Sequence, residues 1–136
     1  MIVMGIDPGK TTGYCICLCI IGAKPLYLTS GTVDFSELGL AELEMYTSLI
    51  VKHRVDEVII EDVIKSGQMN VDKFIQIRAY ERAFIAANTR KVCVEVQSAQ
   101  HTKACKVAVP VEAKGKHAKD AYRIVAAKLQ KFYSNV

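Results

Sequence analysis

The chain has 136 residues, of which 51% are hydrophobic, and its mean hydropathy is +0.17. This length excludes two domains and the composition excludes a disordered chain, so we predict a single domain over residues 1–136. The longest apolar run, over 15–21, is far too short to span a membrane. No secretory signal pattern opens the sequence, and we expect a cytoplasmic protein.

The formal net charge of +4 hides an uneven distribution. Residues 1–64 contain four Lys or Arg and nine Asp or Glu, a balance of −5, whereas residues 65–136 contain fourteen and five, a balance of +9. A basic surface suits a polyanionic partner such as nucleic acid, but a solvated basic surface is about as common. The charge pattern leaves both interpretations open.

The predicted elements of the first half begin with an antiparallel meander and continue with a helix and a further strand. Alternating or continuous apolar runs predict the strands, and apolar residues at helical spacing predict the helix. These elements are strands over 2–6, 12–21 and 25–33, a helix over 37–53 and a strand over 58–60. The strand–helix–strand order predicts a right-handed crossover, so the fourth strand should run parallel to the first.

Five cysteines, an odd number, occur along these elements. Cys15, Cys17 and Cys19 alternate along one predicted strand and should therefore point to the same face. A thiolate metal site that adds Cys93 or Cys105 is a minor alternative, because the sequence has no C-x-x-C pair. We predict reduced cysteines buried in the core.

The second half of the sequence is mainly helical and follows a break at Ser66-Gly67. Its predicted elements are a helix over 71–87, a strand over 92–96, a short helix over 98–105, a connection over 107–115 and a helix over 117–132. The order β-β-β-α-β-α-β-α-α predicts an α/β fold. Its sheet should be mixed and five-stranded, with a three-strand antiparallel meander, two parallel strands and flanking helices.

Two acidic residues stand at the ends of central strands. Asp7 ends the first strand, and Gly9 and Gly13 beside it allow a second backbone to approach closely. Such a carboxylate can hold a cation, although Asp-Pro-Gly also often just closes its own turn. Glu61 ends the fourth strand, at the edge where ligands collect in such sheets. Two acids at this edge repel each other unless a cation lies between them.

The last predicted helix adds His117 and Asp120, which share a face because they are three residues apart. Each has an ordinary explanation as a polar residue in the first turn of a helix. Together with Asp7 and Glu61 they form an oxygen-rich set that favours Mg²⁺ or Mn²⁺ over zinc. Two such ions about 4 Å apart can promote phosphodiester hydrolysis. Asp62 is the alternative to Glu61, but strand alternation turns one of the two away.

Several segments resemble the RuvC-type Holliday-junction resolvases of the RNase H-like superfamily. They are GIDPGKTTGY at 5–14, VIIED at 58–62, FIQIRAYERAFIAA at 74–87 and KHAKDAYRIVAAKL at 116–129. The resemblance spans nearly the whole chain. It implies an RNase H-like nuclease that nicks opposed strands of a four-way DNA junction symmetrically and leaves ligatable ends. The short chain suggests a compact phage or viral version, active in the host-cell cytoplasm.

The resemblance also implies roles for particular residues. Asp7, Glu61, His117 and Asp120 would be catalytic and would hold two Mg²⁺ ions, with Mn²⁺ as a substitute; some relatives have Asp in place of His117. Ile64 stands where many relatives carry an aromatic residue that stacks on junction bases, so the cleavage preference should differ or be lost.

The nucleic acid and a second copy of the chain are the expected partners. We predict phosphate contacts for five lysines, Lys10, Lys103, Lys106, Lys114 and Lys116. The resemblance implies a homodimer, and we expect its interface on the helix over 71–87, with Phe74 and Tyr80.

The sequence patterns also suggest other interpretations. The pattern G-x-x-x-G-K-T over 5–11 is one residue short of a P-loop, and an actin-like ATPase needs two such domains. An RNA-processing nuclease of the pre-16S type, or one acting on other branched substrates, would have a similar metal site. A non-catalytic junction-binding protein should have lost an acid, and no acid is lost here.

Overall fold

The computed structural model describes residues 1–20, 22–34, 40–63 and 71–134, with the backbone alone at 40–42 and 130–134. In chain order the elements are β1 (Ile2–Asp7), β2 (Thr11–Leu18), β3 (Leu26–Asp34), α1 (Leu40–Lys52), β4 (Glu57–Glu61), α2 (Val71–Thr89), β5 (Cys93–Gln97), α3 (Ala99–Lys103) and α4 (Lys116–Ser134). All nine predicted elements are present, with ends shifted by up to three residues where both can be compared. Parts of the predictions lie outside the described residues, namely Ile21, the helix start at 37–39, Ile64, the break at Ser66-Gly67 and the side chain of Phe132.

The five strands form one mixed sheet in the order β3-β2-β1-β4-β5. β1, β2 and β3 pair antiparallel, whereas β4 is parallel to both β1 and β5, so the predicted fold class is confirmed. The register places Ile6 of β1 opposite Ile60 of β4. The next residue on each strand is an acid, so Asp7 and Glu61 end two neighbouring strands at the same edge.

Each face of the sheet has its own apolar core, because alternate strand residues point to opposite faces. On one face Met4, Ile6 and Ile60 pack with residues of α1 and α2. On the other face Val3 and Ile59 pack beneath α4. The strand residues that are fully buried in these two clusters come from β1, β2 and β4. The central strands β1 and β4 are therefore packed on both faces.

The helix α4 lies directly on the sheet because two glycines allow it. A Cβ atom at Gly5 would stand 2.4 Å from the backbone oxygen of Ala121, and one at Gly13 would stand 2.1 Å from that of His117. Both distances are far below any van der Waals contact, so only glycine admits the helix at this depth. The first turn of α4 therefore lies beside the end of β1.

The helix α2 buries alanines rather than its largest apolar side chains. Its fully buried residues are the alanines at 79, 83, 86 and 87, whereas Phe74 and Phe84 are exposed. The alanine side allows the backbone of α2 to pack closely, mainly against α1. The larger apolar side chains consequently stay at the surface.

All five cysteines are free, and Cys15, Cys17 and Cys19 are buried as predicted. The prediction of burial is wrong for Cys93, which is exposed, and for Cys105, which is only partly buried. Cys15 and Cys17 point to the same face, with their sulfur atoms 3.7 Å apart, and Cys19 follows just after the strand. Burial, with the nearby Cys17, raises the pKa of Cys19 to about 12, which keeps this thiol protonated and unreactive. Among the described helices, none is long and apolar enough to cross a membrane.

Candidate active site

A pocket of about 530 Å³ opens at the carboxyl ends of β1 and β4. Its lining includes Asp7 from β1, Glu61 from β4, and His117 and Asp120 from the first turns of α4. The four residues singled out in the sequence therefore line one pocket, although up to 113 positions separate them along the chain. Two features bring them together. One is the parallel pairing of β1 with β4, and the other is the close packing of α4 on the sheet, which the glycines allow.

The two neighbouring acids at the end of β4 have different surroundings. Glu61 lines the pocket, and its pKa responds to the charges of Asp7 and Asp120. Asp62 does not line it; burial raises the pKa of Tyr80, and the charge of Asp62 adds to this effect. Strand alternation explains the difference, because consecutive side chains point to opposite faces.

The turn after β1 is closed by Thr12 and not by Asp7. The Oγ1 atom of Thr12 accepts a hydrogen bond from the Gly9 amide at 3.1 Å and donates one to the Gly9 oxygen at 2.9 Å. This turn leads into a strand, whereas a P-loop leads into a helix, so the nucleotide-binding interpretation is wrong. The Asp7 carboxylate instead lies 3.3 Å from Nδ1 of His117.

Burial and mutual repulsion raise the pKa values of two acids in the pocket. Burial raises the pKa of Glu61 to about 7, and the charges of Asp7 and Asp120 add to this effect while Lys103 opposes it. Burial also raises the pKa of Asp7; the hydrogen bond with His117 partly offsets this, and the charge of Asp120 reinforces it. A cation among these carboxylates would relieve the repulsion.

The donor set suits a hard divalent cation in its chemistry, with three carboxylates and one imidazole. Within the described ranges, however, no three His, Cys, Asp or Glu side chains are already placed so that they could hold a metal ion together. Two of the acids are engaged otherwise, Asp7 with His117 and Asp120 with Nη1 of Arg123 at 3.0 Å. Metal binding would therefore require these contacts to be exchanged for the ion.

Basic residues surround the same pocket. Of the five predicted phosphate contacts, Lys10, Lys103 and Lys116 line it, Lys114 lines an adjoining recess, and Lys106 lines neither. If one phosphate of a nucleic-acid strand lay among the carboxylates, these lysines would lie close to the next phosphate of the same strand. This juxtaposition suits a phosphodiester substrate.

The short helix α3 holds Lys103 at this pocket through buried polar contacts. The side-chain amide of Gln97 donates to Oγ1 of Thr102 and to the backbone oxygen of Ile124, both at 3.0 Å. The ring of His101 also lies 2.9 Å from the backbone oxygen of Ala127 in α4. A helix of five residues is too short to be stable alone, so these contacts fix its position.

Four polar residues of the pocket were missed from the sequence, among them Thr11 and Thr102. Asp72 and Gln76, in the first turns of α2, also line it. An acid in the first turn of a helix is the usual complement to the helix dipole, so Asp72 gives no sign of facing a pocket. Its proximity depends on how α2 lies over the end of β4.

Three solved structures are similar to this chain along most of its length. RuvC of Thermus thermophilus in complex with a Holliday junction substrate is 20% identical, with a TM-score of 0.77, and the match covers 99% of this chain and 95% of that one. The yeast mitochondrial Holliday junction resolvase Ydc2 is 13% identical, with a TM-score of 0.65 and coverage of 98% and 81%. The fowlpox virus Holliday junction resolvase is 17% identical, with a TM-score of 0.55 and coverage of 98% and 99%.

This chain has the RuvC-type resolvase fold. The resemblance seen in the sequence is thereby confirmed for the fold. No protein-family model matches the chain, and no curated protein matches it at a significant level. In this RuvC-type fold the pocket described above lies at the carboxyl ends of the central parallel strands, where ligands collect in α/β sheets.

Replacing Glu61 by Gln should stabilise the metal-free protein at alkaline pH. The folded-state pKa of about 7 exceeds the usual value of 4.5, so the folded state binds the proton more tightly and loses stability as pH rises through this window. Because the side chain is partly exposed, we expect a gain of only about 1 kcal/mol at pH 8 and none below pH 4.5. Urea unfolding in EDTA at both pH values measures it, and an equal gain at both would contradict the assignment.

Proposed function

We propose that this protein is a Mg²⁺-dependent, structure-selective endonuclease that resolves four-way DNA junctions by paired symmetric nicks. The observation that carries the proposal is the convergence of three carboxylates and an imidazole in one pocket with a basic rim. The fold supports it, because the similar solved structures are Holliday junction resolvases, one of them in complex with its junction.

The proposed ligands of two Mg²⁺ ions are Asp7, Glu61, His117 and Asp120, and Mn²⁺ is expected to substitute. Bound divalent ions supply Lewis acidity for hydrolysis of a phosphodiester. Asp7 and Glu61 suit this role because they follow paired residues of two hydrogen-bonded strands, which set the spacing between them. Lys10, Lys103 and Lys116 would neutralise the phosphates that flank the cleaved bond.

Protonation of Glu61 should oppose metal binding. Because its pKa is raised to about 7, part of the Glu61 population is protonated near neutral pH in the metal-free protein. A ligating carboxylate must give up this proton, so metal affinity should rise as pH increases through 7. His117, which stands against Asp7, adds the one nitrogen donor of the set.

A labelled four-way DNA junction tests the function directly, with matched duplex, flap and RNA substrates, in Mg²⁺ and in EDTA. We expect paired nicks at symmetric positions on opposed strands of the junction, only when Mg²⁺ is present. Preferred cleavage of flaps or RNA would assign the site to another substrate. Tight junction binding without any cleavage would leave a non-catalytic binding protein.

Paired nicking requires two active sites, and a homodimer on the exposed face of α2 would supply them. Phe74 is 60% exposed, and Phe84, stacked on Tyr80, is exposed as well. Large apolar side chains at the surface of one helix are typical of an interface. We expect Phe74→Glu to shift the chain from dimer to monomer in analytical ultracentrifugation, and we expect Val111→Glu, on another surface, to leave the dimer intact. A dimer unchanged by Phe74→Glu would place the interface elsewhere.

A further inference from the structure

A second recess, of about 550 Å³, adjoins the outer side of α4. Three cations line it, Lys114, Lys119 and Arg123, and among the residues that the structure describes no acid lines it. Apolar residues of the preceding segment form the rest of its wall, namely Val107, Ala108, Val109, Pro110, Val111 and Ala113. Cations beside an apolar wall suit an anion that carries an apolar group. A nucleotide unit, with its phosphodiester and its base, has this chemistry.

Arg123 belongs to this recess and to the candidate active site at once. It lines the recess, and its Nη1 atom donates a 3.0 Å hydrogen bond to Oδ1 of Asp120, which lines the neighbouring pocket. The two residues are one turn apart on α4, and the Arg123 side chain is 40% exposed. A guanidinium has five N–H donors, and an ion pair of this exposure is weak. A phosphate in the recess can therefore compete with Asp120 for Arg123.

We propose that the recess binds a phosphodiester of the nucleic acid and that this anion draws Arg123 away from Asp120. The Asp120 carboxylate is then released to hold a divalent cation in the neighbouring pocket. This inference rests on the proposed function and deepens it, because it makes assembly of the metal site depend on bound substrate. By linkage, the nucleic acid and the metal ion should each raise the affinity of the other.

Titration of Mn²⁺ measures this linkage without any cleavage step. Electron paramagnetic resonance follows free Mn²⁺ with and without a saturating concentration of a short single-stranded oligonucleotide. In this oligonucleotide a methylene group replaces a bridging oxygen of each phosphodiester. The linkage therefore keeps its charge and is not hydrolysed. For the parent protein we expect the oligonucleotide to raise Mn²⁺ affinity about threefold, the scale set by an exposed ion pair. For Arg123→Gln we expect Mn²⁺ alone to bind about threefold more tightly than to the parent, with no further gain from the oligonucleotide.

Lys119→Gln is the matched control. It removes the same charge from the recess, one residue from Asp120, but Lys119 forms no hydrogen bond with Asp120 among the contacts the structure describes. It should weaken oligonucleotide binding about twofold and keep the oligonucleotide-dependent gain in Mn²⁺ affinity. Lys119→Gln and Arg123→Gln could raise the affinity for Mn²⁺ alone by the same factor. In that case the loss of one positive charge near the pocket explains the effect, and the inference that Arg123 exchanges Asp120 for a phosphate is wrong.

Two further outcomes would overturn the inference. One is an oligonucleotide effect as large in Arg123→Gln as in the parent, and the other is no oligonucleotide binding to the parent in EDTA. Circular dichroism establishes that the variants are folded, which the exposure of Arg123 and Lys119 favours. These binding results are independent of junction cleavage, whose absence would count against the proposed function alone.

Discussion

Asp7→Asn should lower the rate of junction cleavage about a thousandfold or more and leave junction binding nearly unchanged. Asp7 lines the pocket, and an amide lacks the negative charge that a divalent cation needs. Loss of the metal forfeits several kcal/mol of transition-state stabilisation, and about 4 kcal/mol corresponds to a thousandfold. The lysines that are expected to contact phosphates are untouched, so affinity for the junction in EDTA should stay within about twofold. Single-turnover cleavage and a binding titration measure the two quantities.

Asp72→Asn provides the matched control for this prediction. Asp72 lines the same pocket, but it is exposed at the start of α2 and is not among the charges that shift the pKa of Asp7 or Glu61. We expect its cleavage rate to fall by less than about tenfold, the lower range for groups outside a first coordination shell. Asp7→Asn with the cleavage rate of the parent would remove Asp7 from the active site. Equal losses in both variants would indicate a general effect of charge in the pocket.

Gly13→Ala should both destabilise the protein and impair cleavage. A Cβ atom at this position would stand 2.1 Å from the backbone oxygen and 2.2 Å from the carbonyl carbon of His117, so the first turn of α4 must move. Overpacking of this kind costs about 3 kcal/mol, which corresponds to roughly 10 °C in melting temperature for a domain of this size. A shift of α4 also displaces His117 and Asp120 from the pocket. A misplacement of about 1 Å can cost a hundredfold in rate.

Gly9→Ala is the control, because Gly9 lies in the turn between β1 and β2, four residues before Gly13. Its Cβ atom would lie 3.3 Å from the nearest backbone oxygen, that of Thr11, a tight contact but not an impossible one. We expect a loss of less than about 1 kcal/mol in urea unfolding. If Gly13→Ala were as stable as Gly9→Ala and retained the cleavage rate of the parent, the close packing of α4 against Gly13 would not be needed to form the site.

The sequence by itself determined the elements, their order and the two strand-end acids. These features are encoded locally: apolar residues with a period of two or 3.6, turn residues between them, and an acid as the last residue of a buried strand. The crossover rule then makes β4 parallel to β1 and brings Asp7 beside Glu61, which the register of the sheet confirms. That His117 and Asp120 share a helix face also follows from spacing alone.

Only the tertiary structure decided how these parts meet. The contact between Asp7 and His117 joins residues 110 positions apart and depends on the depth at which Gly5 and Gly13 admit α4. The alanine side of α2, and not its larger apolar residues, is buried because the distance to α1 is set by packing. Arg123 likewise connects the pocket with a second recess whose wall comes from the segment over 107–115. Sequence periodicity specifies which face of an element is apolar, whereas the neighbours of that face are set by contacts between residues far apart in the chain.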